Sequence, residues 1–125
     1  MKKVIETPQA PAPIGPYSQA IEINGMVFTS GQIAINPKSG DYIPLAVEEE
    51  AKMVMQNLQA VLNAAGASFE HVVKTSIFLK DMGDFAKVNE VYATYFSSQF
   101  PARETVQVSV LPKDAKVEIS MIAVK

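Results

Sequence analysis

The chain has 125 residues, a formal net charge of −2, no cysteine and a single histidine, His71. These figures exclude disulfide bonds, cysteine nucleophiles and metal sites built from thiolates or clustered histidines, and the negative charge argues against a nucleic-acid-binding surface. The length fits one domain, residues 1–125, and we find neither a signal peptide nor a membrane span in the pattern, so we expect a cytoplasmic protein.

Prolines and a turn signal organise the N-terminal segment. Residues 7–16 contain four of the eight prolines. Because proline fixes φ and has no N–H, we predict an ordered but irregular loop there, packed on the domain through its apolar side chains. Two β-prone runs, 20–23 and 26–31, flank Asn24 and Gly25, a pair that supplies the positive φ angles of a type I′ turn. The segment therefore predicts a β-hairpin.

Residues 46–65 carry the clearest helical pattern, with apolar side chains at three- and four-residue steps. Gly66 follows as a natural C′ residue, just beyond the helix end. Glu48, Glu49 and Glu50 fall in the first turn, where negative charge complements the helix dipole. We therefore predict a long amphipathic helix that begins with a solvated acidic triplet.

Strand and helix patterns alternate in the rest of the chain. They predict a strand at 72–79, a second helix capped by Asp84, a strand at 102–110 and a last strand at 117–124. The order of elements indicates an α+β fold in which right-handed crossovers place both helices on one face of the sheet. Apolar residues on the other face would need a partner subunit, so we predict an oligomer that packs sheet faces together.

Two charged residues are candidates for chemistry. Arg103 stands where a loop enters a strand, and a guanidinium binds a carboxylate through two parallel hydrogen bonds. A surface arginine is an equally open alternative, although strand alternation places its neighbour Glu104 on the opposite face. Glu118 stands inside an apolar strand, where burial would raise its pKa and suit it to acid–base chemistry. A solvent-facing glutamate is the commoner case.

A third group consists of Tyr17, in the proline-rich loop, and Ser30 and Gly31, at the end of a strand. A glycine at a strand end lets a ligand approach backbone N–H groups, while ordinary turn chemistry is the alternative. Ser30 has no histidine at a plausible spacing for a catalytic triad, and we assign no role to His71. Phosphate-loop, dinucleotide-binding and HExxH motifs are absent.

Taken together, these residues resemble a known family. The segments that carry the resemblance are Ala12-Pro13-Ile14-Gly15-Pro16-Tyr17-Ser18-Gln19, Thr29-Ser30-Gly31-Gln32-Ile33, Val73-Lys74-Thr75-Ser76, Asn89, Pro101-Ala102-Arg103, Leu111-Pro112-Lys113-Asp114 and Val117-Glu118-Ile119. Over nearly the whole chain they are similar to the RidA/YjgF family of reactive-intermediate deaminases, which hydrolyse enamines and imines.

The resemblance implies a chorismate-mutase-like mixed sheet with two helices on one face. It implies a homotrimer whose sheets face inward and whose active sites lie between subunits. It also implies hydrolysis of 2-aminoacrylate, 2-iminobutyrate and related 2-imino acids to 2-oxo acids and ammonia, with no cofactor and no metal. Finally, it implies that the last strand is inserted within the sheet, which would place Glu118 beside the strand that carries Ser30 and Gly31.

By position, the family's roles fall on residues of this chain. Arg103 matches the arginine that grips the substrate carboxylate, and Glu118 matches the glutamate that positions or activates water. The substrate-binding positions are matched by Tyr17, Ser30, Gly31, Asn89 and Thr105. The family usually has a small residue in place of Glu104 and often a cysteine in place of Thr105, so we expect no thiol-dependent side activity.

Two other functions are attached to the family. A non-catalytic, metabolite-binding regulator or chaperone-like trimer is the alternative to a deaminase. A ribonuclease is disfavoured, because the chain has one histidine, a negative net charge and no basic, aromatic strip for single-stranded RNA.

Overall fold

The computed structural model describes all 125 residues. Its strands are β1 Lys3–Ile5, β2 Ala20–Ile23, β3 Met26–Thr29, β4 Val72–Leu79, β5 Ala102–Gln107 and β6 Val117–Val124. Its α-helices are α1 Val47–Ala64 and α2 Phe85–Ala93, and single 3-10 turns lie at Phe69–His71, Met82–Asp84 and Pro112–Asp114. The strands form one mixed sheet in the order β1-β2-β3-β6-β4-β5, in which only β4 and β5 pair in parallel.

The turn at Asn24-Gly25 and the helix end at Gly66 both form as predicted. Asn24 and Gly25 have φ values of 50° and 79°, as a type I′ turn requires, and they join β2 to β3. Gly66, with a φ of 74°, follows the end of α1. The N–H groups of Gly66 and Ala67 donate to carbonyls of the last helical turn, which satisfies the helix end in a Schellman motif.

The last strand is inserted in the middle of the sheet. β6 pairs with β3 on one side and with β4 on the other, and a bridge from Ile119 to Gln32 continues the pairing beyond β3. β5 and β6 therefore do not form a hairpin. Glu118 lies beside the segment that carries Ser30 and Gly31, as the resemblance implies.

Both helices cover one face of this sheet, which confirms the predicted layering. The core lies between the helices and the sheet, and its largest fully buried side chains include Met55, Leu58, Leu62, Ile77, Leu79 and Ile119. No helix lies on the opposite face, which we call the open face, where Phe28 and Val106 are exposed. Neither α-helix has the length and apolar character needed to cross a lipid bilayer.

Three sequence predictions need correction. β1, a three-residue edge strand, is absent from the prediction because so short a run shows no alternation. The strand predicted at 102–110 ends at Gln107, since its only neighbour, β4, ends at Leu79. Asp84 makes no side-chain cap; Asp81 instead accepts a backbone N–H at 2.8 Å, because a 3-10 turn precedes α2.

The predicted solvated acidic triplet at the start of α1 is wrong for one member. Glu50 is fully buried, with 0% exposure, while the two glutamates before it are exposed. Its carboxylate accepts hydrogen bonds from Tyr42 OH at 2.7 Å, Leu45 N–H at 3.2 Å and Lys116 N–H at 3.1 Å, and Lys116 Nζ lies 3.3 Å away. Burial and this carboxylate raise the pKa of Tyr42, so the Tyr42 hydroxyl stays a donor. Glu50 thus ties two loops to α1.

Candidate functional site

The site residues predicted from sequence fall into two groups on opposite faces of the sheet. Arg103 of β5 lies opposite Thr75 of β4, which is buried beneath the helices. Glu118 of β6 lies opposite Phe78, three residues beyond Thr75 on β4. Because successive strand residues point to opposite faces, this odd offset puts the two side chains on different sides of the sheet.

Glu118 lines a pocket of about 330 Å³. The other lining residues come from the proline-rich loop, from the segment 30–35 after β3, and from Pro112. Three predicted site residues, Tyr17, Ser30 and Gly31, are among them. The insertion of β6 beside β3 therefore gathers one half of the predicted site in a single pocket.

Gly31 is in close contact with the Glu118 carboxylate. A Cβ atom on residue 31 would lie 2.6 Å from Glu118 Oε2 and 2.8 Å from its Cδ, so a side chain there would displace the carboxylate. The φ angle of Gly31 is not positive, so the backbone conformation does not demand glycine. Glycine is needed at this position because only a residue without a Cβ atom leaves room for the Glu118 carboxylate.

The Glu118 carboxylate is available to a ligand. It is half-buried and takes part in none of the chain's four ion pairs. Burial raises the pKa of Glu118, because desolvation disfavours the charged form. The Gly31 N–H has no backbone acceptor. The pocket thus offers a titratable carboxyl and a backbone donor side by side.

Hydrogen bonds at the end of the proline-rich loop engage two of these side chains. Ser30 Oγ donates to Ser18 O at 2.6 Å, and Tyr17 OH accepts from Ile14 N–H at 3.2 Å. Both hydroxyl groups, which the sequence suggests as ligand contacts, therefore bind the loop itself. Tyr17 OH keeps its own proton to donate, whereas the proton of Ser30 is already engaged.

Arg103, the only arginine of the chain, lies on the helix-covered face of the edge strand β5. Its Nη2 donates to Asn89 Oδ1 at 2.6 Å, and the guanidinium carbon lies 5.0 Å from the centroid of the Tyr92 ring. Tyr92 OH donates to Thr75 Oγ1 at 2.9 Å, which fixes the ring. No carboxylate pairs with Arg103. A half-buried guanidinium held in this way is suited to bind an external anion.

The neighbours of Arg103 along β5 point to alternate faces. Thr105 shares the face of Arg103, and its hydroxyl is buried without a hydrogen-bond partner. Glu104 lies on the open face, where it accepts hydrogen bonds from Lys74 and Ser76. Those hydrogen bonds lower the pKa of Glu104. Glu104 therefore does not compete for the Arg103 guanidinium.

One chain thus carries two separate candidate half-sites. The first, which we call the acid–base half, contains Glu118 with Tyr17, Ser30 and Gly31. The second, the anion-binding half, contains Arg103 with Asn89 and Thr105. No group of three or more histidine, aspartate or glutamate side chains is placed to hold a metal ion.

Sequence reasoning missed several residues that shape the acid–base half. Ile33 and Ile35 are buried in its lining, and the apolar run Ile33-Ala34-Ile35 after β3 could have identified this segment as buried. Gln19 also lines the pocket and is buried. A single buried amide has no periodic signature, so the available signals were its position after a proline-rich loop and its place in a segment that carries the family resemblance.

Comparisons with known proteins give consistent results. The family model described as Endoribonuclease L-PSP matches residues 7–125. A Mus musculus protein named 2-iminobutanoate/2-iminopropanoate deaminase is 50% identical over 125 residues, which is 100% of this chain and 93% of that protein. The structure of YyfA, a Rid family protein of Yersinia pestis, matches with a TM-score of 0.97 at 49% identity, covering 100% of both chains. The structure of E. coli TdcF with bound serine has a TM-score of 0.94 at 45% identity and covers 98% of both chains.

Proposed function

Because the chain belongs to the YjgF/RidA family, which the Endoribonuclease L-PSP model describes, we propose that it is a hydrolytic deaminase of reactive imines and enamines. Its substrates are 2-imino acids such as 2-iminobutanoate and 2-iminopropanoate, with enamine forms such as 2-aminoacrylate, and its products are 2-oxo acids and ammonia. It works as one domain, residues 1–125, in the cytoplasm and without a cofactor. Arg103 carries the proposal, since a guanidinium without a carboxylate partner fits the carboxylate shared by these substrates.

The active unit that we propose is a homotrimer with its sheets facing inward. Arg103 and Glu118 lie on opposite faces of one sheet, so the two side chains of a single chain cannot both contact one small substrate. Each active site combines the anion-binding half of one copy with the acid–base half of the next. Exposed apolar side chains on the open face, Phe28 and Val106, support this packing, because contact between copies would remove them from water.

Hydrolysis of an imine needs little beyond positioning. The oxygen of water attacks the imine carbon, and the C=N π electrons move to nitrogen. The resulting tetrahedral intermediate expels ammonia as the C=O bond forms. Glu118 takes a proton from the attacking water and gives it to the nitrogen, and it then carries the hydroxyl proton of the intermediate to the same nitrogen, so that neutral ammonia leaves as the C=O bond forms. This relay suits a carboxyl group with a raised pKa. Arg103 holds the substrate carboxylate, which orients the imine carbon toward the water.

A dehydratase-coupled assay tests the proposal. A serine or threonine dehydratase supplies the enamine, and release of the 2-oxo acid is followed with and without the purified protein. We expect the wild-type protein to accelerate release and Glu118→Gln to leave it near the background rate. Binding of 2-oxobutyrate without any acceleration would instead support a metabolite-binding regulator. Cleavage of RNA by a variant that lacks both Arg103 and Glu118 would point to a contaminating nuclease.

The raised pKa of Glu118 gives a pH-dependence prediction. The carboxylate form must accept the proton from water, so kcat/KM should fall as pH drops through a pKa above the ~4.3 of a free glutamate. Glu118→Gln should lose this limb of the pH profile.

The raised pKa of Glu118 affects stability in the opposite direction to activity. The folded state holds the proton more tightly than the unfolded chain, so ionisation of Glu118 lowers the free energy of unfolding as pH rises through the folded pKa. Urea denaturation at neutral pH should therefore find Glu118→Gln more stable than wild type.

The contact between Gly31 and Glu118 gives a second prediction. In Gly31→Ala the added Cβ displaces the Glu118 carboxylate, and a misplacement of about 1 Å costs on the order of 10²-fold in rate. Since a flexible side chain absorbs the clash, we expect the melting temperature to change little. Steady-state kinetics and thermal unfolding check both expectations. Unchanged kcat in Gly31→Ala would show that the position of Glu118 does not limit the reaction.

A further inference from the structure

Gln19 is a buried amide between the proline-rich loop and β2. Its residue exposure is 3%. Oε1 accepts from Thr7 N–H at 2.7 Å, and Nε2 donates to Thr7 O at 3.0 Å, Pro11 O at 2.8 Å and Ala10 O at 3.3 Å. One side chain thus binds the backbone of three residues that lie 8 to 12 positions earlier in the chain.

The prolines explain why the loop depends on this amide. Residues 7–16 include four prolines, which have no N–H to donate. The loop therefore lacks the donors with which turns normally satisfy their own carbonyl groups, and buried carbonyls without a donor are unfavourable. Gln19 supplies those donors from the side chain. No hydrogen bond between backbone groups links residues 7–13 to the rest of the chain, so the Gln19 amide is their main polar anchor.

The anchored segment forms an apolar wall of the acid–base half. Pro11 and Ala12 of this segment line the Glu118 pocket together with Ile14, Ile33 and Ile35. We call this set the apolar wall.

The backbone of Gln19 connects the same wall to the polar end of the pocket. Its carbonyl accepts the Ser30 N–H at 2.9 Å, directly before Gly31. The pocket therefore has one end that suits proton transfer and another that suits an aliphatic substituent.

We propose that Gln19 is a positioning residue that holds the apolar wall and thereby sets the preference of the pocket for substrates with larger aliphatic side chains. The substrate class rests on the deaminase proposal: it would be the 2-imino acids whose side chain is longer than methyl. Burial of such a side chain against the wall raises affinity, and one methylene in a hydrophobic pocket discriminates by roughly 10–200-fold. The hydrogen-bonding role of Gln19 does not depend on the reaction.

The test compares Gln19→Leu with Gln9→Leu, a matched change at an exposed glutamine of the same loop. Calorimetric titration uses two 2-oxo acids as stable stand-ins for the imines, pyruvate and 4-methyl-2-oxopentanoate. We expect Gln19→Leu to weaken binding of 4-methyl-2-oxopentanoate by about 10-fold and of pyruvate by less than about 2-fold, with no change in Gln9→Leu. Equal losses for both ligands, or none, would overturn the proposal.

A kinetic arm and a second variant keep the outcomes separable. With imines made in situ by an amino-acid oxidase, Gln19→Leu should raise KM for the leucine-derived imine and leave kcat nearly unchanged. If wild type does not accelerate hydrolysis of the imines, the deaminase proposal fails. The titration still tests whether Gln19 positions the apolar wall. If Gln19→Leu does not fold, Gln19→Met keeps the length of the side chain but has no N–H or O–H to donate. A folded Gln19→Met that binds both acids like wild type would equally overturn the proposal.

Discussion

An Arg103→Ala variant is expected to fold normally and to lose about 10²- to 10⁴-fold in kcat/KM for imine hydrolysis. The estimate corresponds to two charged hydrogen bonds to the substrate carboxylate, at roughly 1.5–3 kcal/mol each. Arg103 lies on an edge strand and bonds only to Asn89, so removing it leaves the core intact. Arg103→Lys keeps the charge but loses the planar guanidinium group, so its activity should lie between that of wild type and that of Arg103→Ala. The coupled assay measures all three proteins.

A chemical experiment checks the same assignment without a substitution. Because Arg103 is the only arginine, an arginine-specific dicarbonyl reagent has a single target side chain in the chain. Modification should abolish activity, and pyruvate or 2-oxobutyrate should protect against it. Full activity after complete modification, confirmed by mass spectrometry, would contradict the role of Arg103 as the carboxylate anchor.

Mixing two inactive variants tests how the half-sites combine. If chains of Arg103→Ala and Glu118→Gln are reassembled together in equal amounts, about a quarter of the sites should pair an intact Arg103 with an intact Glu118. Activity should therefore return to about that share of the wild-type value. A mixture that stays inactive, although mixed trimers form, would show that each site takes both residues from the same copy.

Glu50→Ala should destabilise the fold by about 3–5 kcal/mol, because it leaves hydrogen-bond donors without an acceptor, at roughly 1–3 kcal/mol for each buried one, and removes buried side-chain volume. Its loss leaves Tyr42 OH and the N–H groups of Leu45 and Lys116 without their acceptor. It also opens a cavity in a position with 0% exposure. Urea denaturation gives the free energy of unfolding directly. Lys116→Met should also destabilise the fold, because it leaves the fully buried Glu50 carboxylate without its cation.

The first turn of α1 provides matched controls for this prediction. Glu48 and Glu49 are exposed glutamates next to Glu50, so Glu48→Ala and Glu49→Ala should stay within about 0.5 kcal/mol of wild type. The comparison separates buried hydrogen bonding from the interaction of negative charge with the helix dipole, which all three residues share. Equal effects at the three positions would mean that the helix dipole, rather than burial, determines the role of Glu50.

Local features of the fold could be predicted from the sequence because their causes are local. The Asn24-Gly25 turn depends on two residues that tolerate positive φ, and α1 depends on the spacing of its own apolar side chains. Features that depend on distant partners could not be predicted in this way. The burial of Glu50 depends on Lys116, 66 residues away, and nothing in the acidic triplet distinguishes its third member.

The same distinction applies to the candidate site. Strand alternation alone predicts that Arg103 and Glu104 face opposite ways, and the structure confirms it. The relation of Arg103 to Glu118 depends on the pairing register of β4 with both β5 and β6, which a single sequence does not determine. The family resemblance gave the right neighbours for Glu118, but only the register shows that the two charged residues lie on different faces.

The separation of Arg103 from Glu118 across the sheet also makes the proposed enzyme sensitive to dilution. A dissociated chain would keep its fold and both half-sites, yet it would have no complete centre for turnover. By mass action, activity per chain should then fall as total protein drops below the dissociation constant of the trimer, while substrate itself, by bridging two copies, favours assembly. Expression level would thus set both the amount of the proposed deaminase and the fraction of it that is active.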